Sequence, residues 1–417
     1  MNVDVLIVGA GPAGLSAAAE LRRLGAGSVL VVDREPVAGG IPRHSWHTGY
    51  GIRDLRRLMT GPAYARRLAG LAESAGADLR VSTTVTSLSA DLEAMLTSPY
   101  GRESVTARAV LLATGCRERP RSARLVPGDR PAGVLTTGEL QQRVYLNGER
   151  LPGRAVVVGA EHVSFSAAVT LAHAGADVVA LVTEHPRQQS YAAFRLGAAL
   201  RWRVPVWTSS AIRRVTGRGH LAGVQIADLS SGAERFVPCQ TVVFTADWIP
   251  DHELARSAGL ALDPGTRGPA VDTLLRASAP GIYATGNLIH AAETADIAAL
   301  SARHAARHIA AALVGSAPPA AAVPVCSEAP LTWISPNAVP VPLAGPVPGP
   351  VPGPPLGRFT LRSSEFRHVA RLDVRQDGRR LTLSRPVRII PGRPIHLTAN
   401  WLPQVDPAGG PVLVTIT

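Results

Sequence analysis

The chain has 417 residues, enough for two or three domains with substantial cores, and 43 basic residues against 31 acidic ones give it a net charge of +12. Every basic side chain is an arginine and these lie scattered among acids, so no basic stripe for nucleic acid is present; the excess suits an acidic partner or an anionic substrate. Cys116, Cys239 and Cys326 are far apart and form no C-x-x-C pair, disulfide framework or cysteine-ligated metal or cluster site.

The first predicted element is an apolar strand from Val3. No basic leader precedes it, so no secretory signal is expected and a cytoplasmic location is. The strand enters Gly9-Ala10-Gly11-Pro12-Ala13-Gly14, a G-x-G-x-x-G turn, followed by an Ala-rich helix and a second apolar strand ending at Asp33-Arg34. Glycines at this spacing permit a tight turn and let backbone N–H groups approach a pyrophosphate at the helix N-terminus, while the acid takes ribose hydroxyls. A bound dinucleotide follows from that context.

Next, Gly39-Gly40 leads into "IPRHSWHTGYG", which gathers Arg43, His44, Ser45, His47 and Tyr50. His44 and His47 are the candidate catalytic residues, able to donate a proton or orient a substrate. A further strand ends in Ala113-Thr114-Gly115.

Residues 154–185, "RAVVVGAEHVSFSAAVTLAHAGADVVALVTEH", repeat the pattern of 3–34. The repeat keeps Gly159 but places Glu161 and Ser164 at the other two glycine positions, and Thr183 at the acid position. A carboxylate beside the pyrophosphate path is an electrostatic penalty, and losing the third glycine spoils close helix–strand packing. This second unit is expected to persist as structure and to hold a nicotinamide dinucleotide poorly.

The stretch "PGIYATGNLIHAAETADIAAL" (280–300) is a strand ending in Gly286-Asn287 and then a helix. Residues 316–355 are so rich in proline that an extended linker is expected, with neither helix nor central strand. Residues 356–417 alternate as an antiparallel β tail of about five strands, with Asp377-Gly378 as a hairpin turn. Apolar runs are short and interrupted, so no membrane span is expected.

Taken together, the glycine turn, Asp33, the Ala113-Thr114-Gly115 strand and the Gly286-Asn287 segment resemble the FAD-dependent pyridine-nucleotide–disulfide oxidoreductase superfamily over residues 1–315. The resemblance implies an α/β chain with two Rossmann-like dinucleotide-binding domains, the second inserted in the first, plus a small C-terminal antiparallel β domain. The implied FAD domain covers 1–120 and 246–315, a degenerate NAD(P)-binding-like domain 121–245, the linker 316–355 and the β domain 356–417. It further implies FAD held by Gly9, Gly11, Pro12, Ala13, Gly14, Asp33, Arg34, Gly40, Arg43, Ala113, Thr114, Gly115, Gly286, Asn287, Thr294 and Ala295, with NAD(P) disfavoured. In that family the helix after Gly286-Asn287 turns its N-terminus toward the flavin pyrimidine. Asn287 stands where the family usually has Asp.

The family's redox cysteine pair is absent, so a disulfide substrate is not expected. "GGIPRH", the altered second turn and "GNLIHAAETAD" are most similar to the FAD subunits of heteromeric amine dehydrogenases of the opine oxidase, hydroxyproline dehydrogenase and hydrogen cyanide synthase type. That resemblance implies a small-molecule substrate, an amine or amino acid, or a partner dehydrogenase subunit whose electrons this chain passes on. The cysteine-rich cluster region common in such subunits has no counterpart here. Two further readings stand beside it: a free-standing NAD(P)H-dependent flavin reductase, and a non-catalytic FAD-containing scaffold that binds a partner.

Overall fold

Val5, Leu6 and Ile7 of the strand Asn2–Val8 are fully buried, as a central parallel strand covered on both faces requires. In the computed structural model, which describes residues 1–191, 204–315, 320–342 and 351–417, this strand pairs in parallel with Val29–Val32 and with Gly101–Leu112. Asp78–Arg80 and Ile282–Ala284 add parallel strands, and Thr84–Leu88 with Glu93–Ser98 add antiparallel ones, completing a seven-stranded sheet. Helices Pro12–Arg23 and Ala295–Leu313 pack together, with Ala17, Ala18, Ala298, Ala302 and Ala305 buried in the shared core. Pro12 opens the first helix where its missing N–H costs nothing, and Arg22 and Arg23 complement the dipole at the other end.

The chain forms two compact units: Met1–Arg43, Thr48–Cys116 and Pro250–Thr417 make the first, and His44–His47 with Arg117–Ile249 the second. The junctions fall at 116/117 and 249/250 rather than 120/121 and 245/246, and the C-terminal strands belong to the first unit. The second unit carries a five-stranded parallel sheet ordered Val134–Thr136, Thr241–Phe244, Gly153–Val158, Ala176–Val182, Val206–Trp207. Helix His162–Ala174 and an antiparallel sheet of Ser210–Thr216, Gly223–Asp228 and Glu234–Pro238 complete it. The sequence repeat is a structural repeat: Gly9 N–H donates to the Val32 carbonyl, and Gly159 N–H donates to that of Val182.

The linker expected over 316–355 is corrected. Ala320–Ser327, Leu331–Ser335 and Ala338–Pro342 are strands, and Val323, Val325, Leu331, Ile334, Val339 and Val341 join the C-terminal core; the expected linker at 316–319 and 343–350 lies outside the described residues. Two devices let prolines sit in this sheet. Ala338–Pro342 is its edge strand, where a missing donor is tolerated. Pro324 ends the stretch of Ala320–Ser327 that pairs with Ala338–Pro342, just before Val325 begins pairing with Val412–Ile416. The tail holds seven strands rather than five, from Arg358–Ser363 to Val412–Ile416, and its hairpin Leu372–Gln376/Arg379–Leu383 turns at Asp377-Gly378, both with positive φ. Among the described residues no helix is long and apolar enough to cross a membrane.

Candidate functional site

The three glycines of the first turn answer to different demands. A Cβ on Gly9, whose φ is +108°, would lie 2.5 Å from the Ala113 carbonyl oxygen, and one on Gly14 only 1.9 Å from that of Gly9. These two are dictated by the chain's own packing. A Cβ on Gly11 would meet nothing nearer than Gly40 Cα at 4.0 Å. The open approach beside Gly11, at the start of helix Pro12–Arg23, is the cradle a pyrophosphate needs, so these residues fit the ADP half of a dinucleotide.

The other expected cofactor residues converge on this turn to different degrees. Asp33 Oδ2 accepts the Ala10 N–H at 2.6 Å and Oδ1 accepts the Glu35 N–H at 2.8 Å, which fixes the carboxylate at the rim. Gly39 N–H donates to the Ala10 carbonyl at 2.8 Å, bringing the double glycine against the turn. Arg43 pairs with Glu35 at 2.9 Å and donates to the Val37 carbonyl at 2.7 Å. Arg34 reaches Asp251 at 3.7 Å, and Thr114 Oγ1 donates to the Asp251 carbonyl at 2.8 Å. Gly286, with φ +68°, leaves only enough room for Ala13, whose Cβ would stand 2.9 Å from a side chain there.

Asn287 has a local task as well. Its Oδ1 accepts the Glu293 N–H at 2.8 Å and its Nδ2 donates to the Glu293 carbonyl at 3.2 Å, closing the loop before helix Ala295–Leu313. Thr294 begins that helix, and its hydroxyl donates to the Asp296 carboxylate. Asp296 is almost wholly buried, 3.1 Å from the Arg53 guanidinium. The positive end of the helix is therefore already met by an internal anion, itself neutralised by Arg53.

Sequence reasoning missed Glu293, Asp296, Arg53 and Arg362 because their pairings join segments far apart in the chain. Burial pushes Glu293 above the ordinary carboxylate range, although Arg362, Arg358 and Arg53 oppose the shift.

His44 and His47 fall in the second unit, where His44 is buried and His47 exposed. Their segment is pinned to helix Thr137–Gln141: Ser45 Oγ donates to Gln141 Oε1 at 3.1 Å, and Gln141 Nε2 donates to Ser166 Oγ at 2.9 Å. Trp46 stacks on Tyr145 at 5.4 Å. The same helix holds Glu118, a group not anticipated, whose Oε2 accepts the Gly138 N–H at 2.7 Å. Burial pushes the Glu118 carboxyl up to about 7, the Gly138 hydrogen bond offsetting only part of the effect. An acid straight after the Ala113-Thr114-Gly115 strand was the available signal.

The second turn is filled from within. Glu161 Oε2 accepts the Ala160 N–H at 3.0 Å, and the Ser164 and Thr245 hydroxyls converge on Oε1 at 3.0 and 2.9 Å. Arg124 donates to the Thr245 and Ala246 carbonyls at 2.7 and 2.6 Å and is attracted to the Glu161 carboxylate. Thr183, in the acid position, accepts the His185 N–H on its hydroxyl at 3.3 Å. Among the described residues no group of His, Cys, Asp and Glu could hold a metal, and all three cysteines are free.

Residues 3–304 match the family described as pyridine nucleotide-disulphide oxidoreductase. The A component of opine oxidase from Rhizobium meliloti is 28% identical over 314 residues, a match spanning 68% of this chain and 58% of that protein. A probable ferredoxin reductase of Castellaniella defragrans is 28% identical over 69% of this chain and 68% of its own length. The alpha chain of sarcosine oxidase from a Corynebacterium species is 31% identical over 56% of this chain and 24% of that protein. In fold, thioredoxin reductase of T. acidophilum is similar with a TM-score of 0.63 at 23% identity, covering 75% of this chain and 99% of that one.

Proposed function

The chain belongs to the pyridine nucleotide-disulphide oxidoreductase family and is an FAD-dependent oxidoreductase, and from that premise we propose that it oxidises a small amine or amino acid, or passes electrons for a partner dehydrogenase. The observation that carries this reading is the contrast between the turns. The first is open beside Gly11, while the second carries the Glu161 carboxylate within the turn itself, hydrogen-bonded to Ala160 N–H and Ser164. Similarity to proteins named as oxidase subunits supports a partner, and the absence of a redox cysteine pair removes the usual route to a disulfide.

FAD, when bound, supplies two-electron acceptor chemistry. The chain's own residues bind and orient it. The backbone N–H groups of Gly11 and Ala13 would take the pyrophosphate, Pro12 having none to offer, Asp33 would take the ribose and Gly286-Asn287 the ribityl chain, with Thr294 and Ala295 toward the pyrimidine. His44 or His47 orients or deprotonates the substrate, and Glu118, protonated near neutrality, carries a proton in the same unit.

Anaerobic titration of the purified chain with amino acids, opines, NADH and NADPH, following the flavin band, tests this. Bleaching by an amine donor and not by nicotinamide is expected. Fast saturable reduction by micromolar NAD(P)H would instead establish the free-standing reductase reading, which similarity to a protein named as a ferredoxin reductase favours. A flavin that no donor reduces, alone or with a partner dehydrogenase, would leave the scaffold.

A further inference from the structure

Strand Arg358–Ser363 alternates in two directions. Phe359 and Leu361 are fully buried in the β core, while Arg358, Thr360 and Arg362 share the other face with His396, the cross-strand neighbour of Thr360. That polar face is not solvated: Thr360 is 9% exposed and Arg362 7%. Arg362 reaches the loop that precedes helix Ala295–Leu313. Its Nη2 donates to the Ala292 carbonyl at 2.8 Å and lies 3.6 Å from Glu293 Oε1. Trp333 backs the contact, its ring 5.5 Å from the guanidinium and 5.2 Å from the His290 ring.

Burying an arginine and a carboxylate is costly even when they pair, and an apolar pair of similar volume would fasten the two layers as well. What the polar pair adds is direction. The loop is held from both ends, the Glu293 backbone by the Asn287 amide and the Ala292 carbonyl by Arg362, with the Glu293 carboxylate in ion-pair range of that guanidinium. Both ends of this loop are expected cofactor residues, Gly286-Asn287 before it and Thr294–Ala295 after it.

We propose that Arg362, from the C-terminal β strands, is a positioning residue for the flavin: by holding Ala292 and Glu293 it fixes the loop that aims Asn287 and the start of helix Ala295–Leu313. The proposal rests on FAD occupying the first turn. The C-terminal strands are then a wall of the cofactor site rather than an appended module.

The test uses the full-length chain, with Arg362→Met, Glu293→Gln and the double variant. FAD release, the visible flavin band and the midpoint potential are measured, and far-UV circular dichroism reports whether the fold is kept. Arg362→Met is expected to release FAD about tenfold more readily, the effect of one charge-assisted hydrogen bond. It should also shift the band and the potential while the far-UV signal is unchanged. Glu293→Gln should shift them in the same direction by less. The double variant should be no worse than Arg362→Met, since both break one link. Unaltered retention, band and potential in Arg362→Met overturn the proposal. Should that variant fail to fold, Glu293→Gln decides in the same way. An unmodified chain without FAD, or a Gly11→Glu variant that keeps it, overturns the underlying reading and this proposal together. A flavin lost on Gly11→Glu but indifferent to Arg362 and Glu293 overturns the positioning role alone.

Discussion

The two glycine turns of this chain meet the same requirement with carboxylates drawn from opposite sides. In both, the N–H of the alanine after the first glycine donates to a carboxylate. At Ala10 the acceptor is Asp33 at the end of the next strand; at Ala160 it is Glu161 within the turn itself. Taking the acid from outside leaves the approach beside Gly11 open, whereas taking it from inside places a carboxylate in the turn. On the proposed reading, that carboxylate stands where phosphate oxygens would, so a dinucleotide fold is kept while one side chain disfavours its ligand.

The largest effect should come from closing the open turn. Gly11→Glu brings a side chain and a charge into the cradle, and FAD should be lost entirely, as an absent flavin spectrum in the purified variant would show. A full spectrum would mean that the two turns do not differ in what they admit. The reverse change is smaller. Glu161→Gly removes the internal anion, and charge repulsion of about 1–4 kcal/mol per nearby phosphate charge translates to roughly ten- to a thousandfold tighter NAD(P)H binding. Stopped-flow flavin reduction or calorimetry reads it directly. No gain in nicotinamide affinity would place the block elsewhere than in the turn.

Much of this was legible in the sequence because Gly14 is fixed by Gly9 and Ile7 within a single strand–helix–strand unit, although Gly9 itself is fixed by Ala113 from a distant strand. The position of Glu161 was equally plain, but not its role. Repulsion was the reading, whereas the carboxylate is hydrogen-bonded by Ser164 in its own turn and by Thr245, 84 positions away. The three strands between 320 and 342 were hidden by their prolines, although Val323, Val325, Val339 and Val341 alternate as strand residues do. Arg362 on Ala292 spans 70 positions, and only the folded chain brings them together. His44 and His47 show the other limit: spacing picked them out, but it could not tell that the fold buries the first and exposes the second.

The units also differ in how they keep buried acids. In the first, Asp296 and Glu293 form ion pairs with Arg53 and Arg362; in the second, burial pushes the Glu118 carboxyl up to about 7 although Gly138, Thr137 and Arg124 oppose it. Between the unfolded value near 4.5 and about 7 the native state holds a proton that the unfolded chain has released, so stability should fall as pH rises through that window. Glu118→Gln removes the titration. Relative to the unmodified chain it should gain stability from pH 5 to 8, by up to about 3 kcal/mol, visible as diverging thermal midpoints. Parallel pH profiles for the two proteins would remove Glu118 as a proton carrier.

The smallest expected effect lies at Asn287. An aspartate would still accept the Glu293 N–H but could not donate to the Glu293 carbonyl, and it would set a third acid beside a loop that already buries Glu293 and Asp296. One hydrogen bond lost and one acceptor pair left facing each other should cost about 1–3 kcal/mol. The open first turn depends on none of this, so Asn287→Asp should keep its FAD while melting earlier. It should also release the flavin slightly faster, because the loop that Arg362 steadies from one side has lost its grip on the other. If the aspartate variant proves as stable as the unmodified chain, the amide is a tolerated substitution and the two-ended hold on Glu293 is weaker than its geometry suggests.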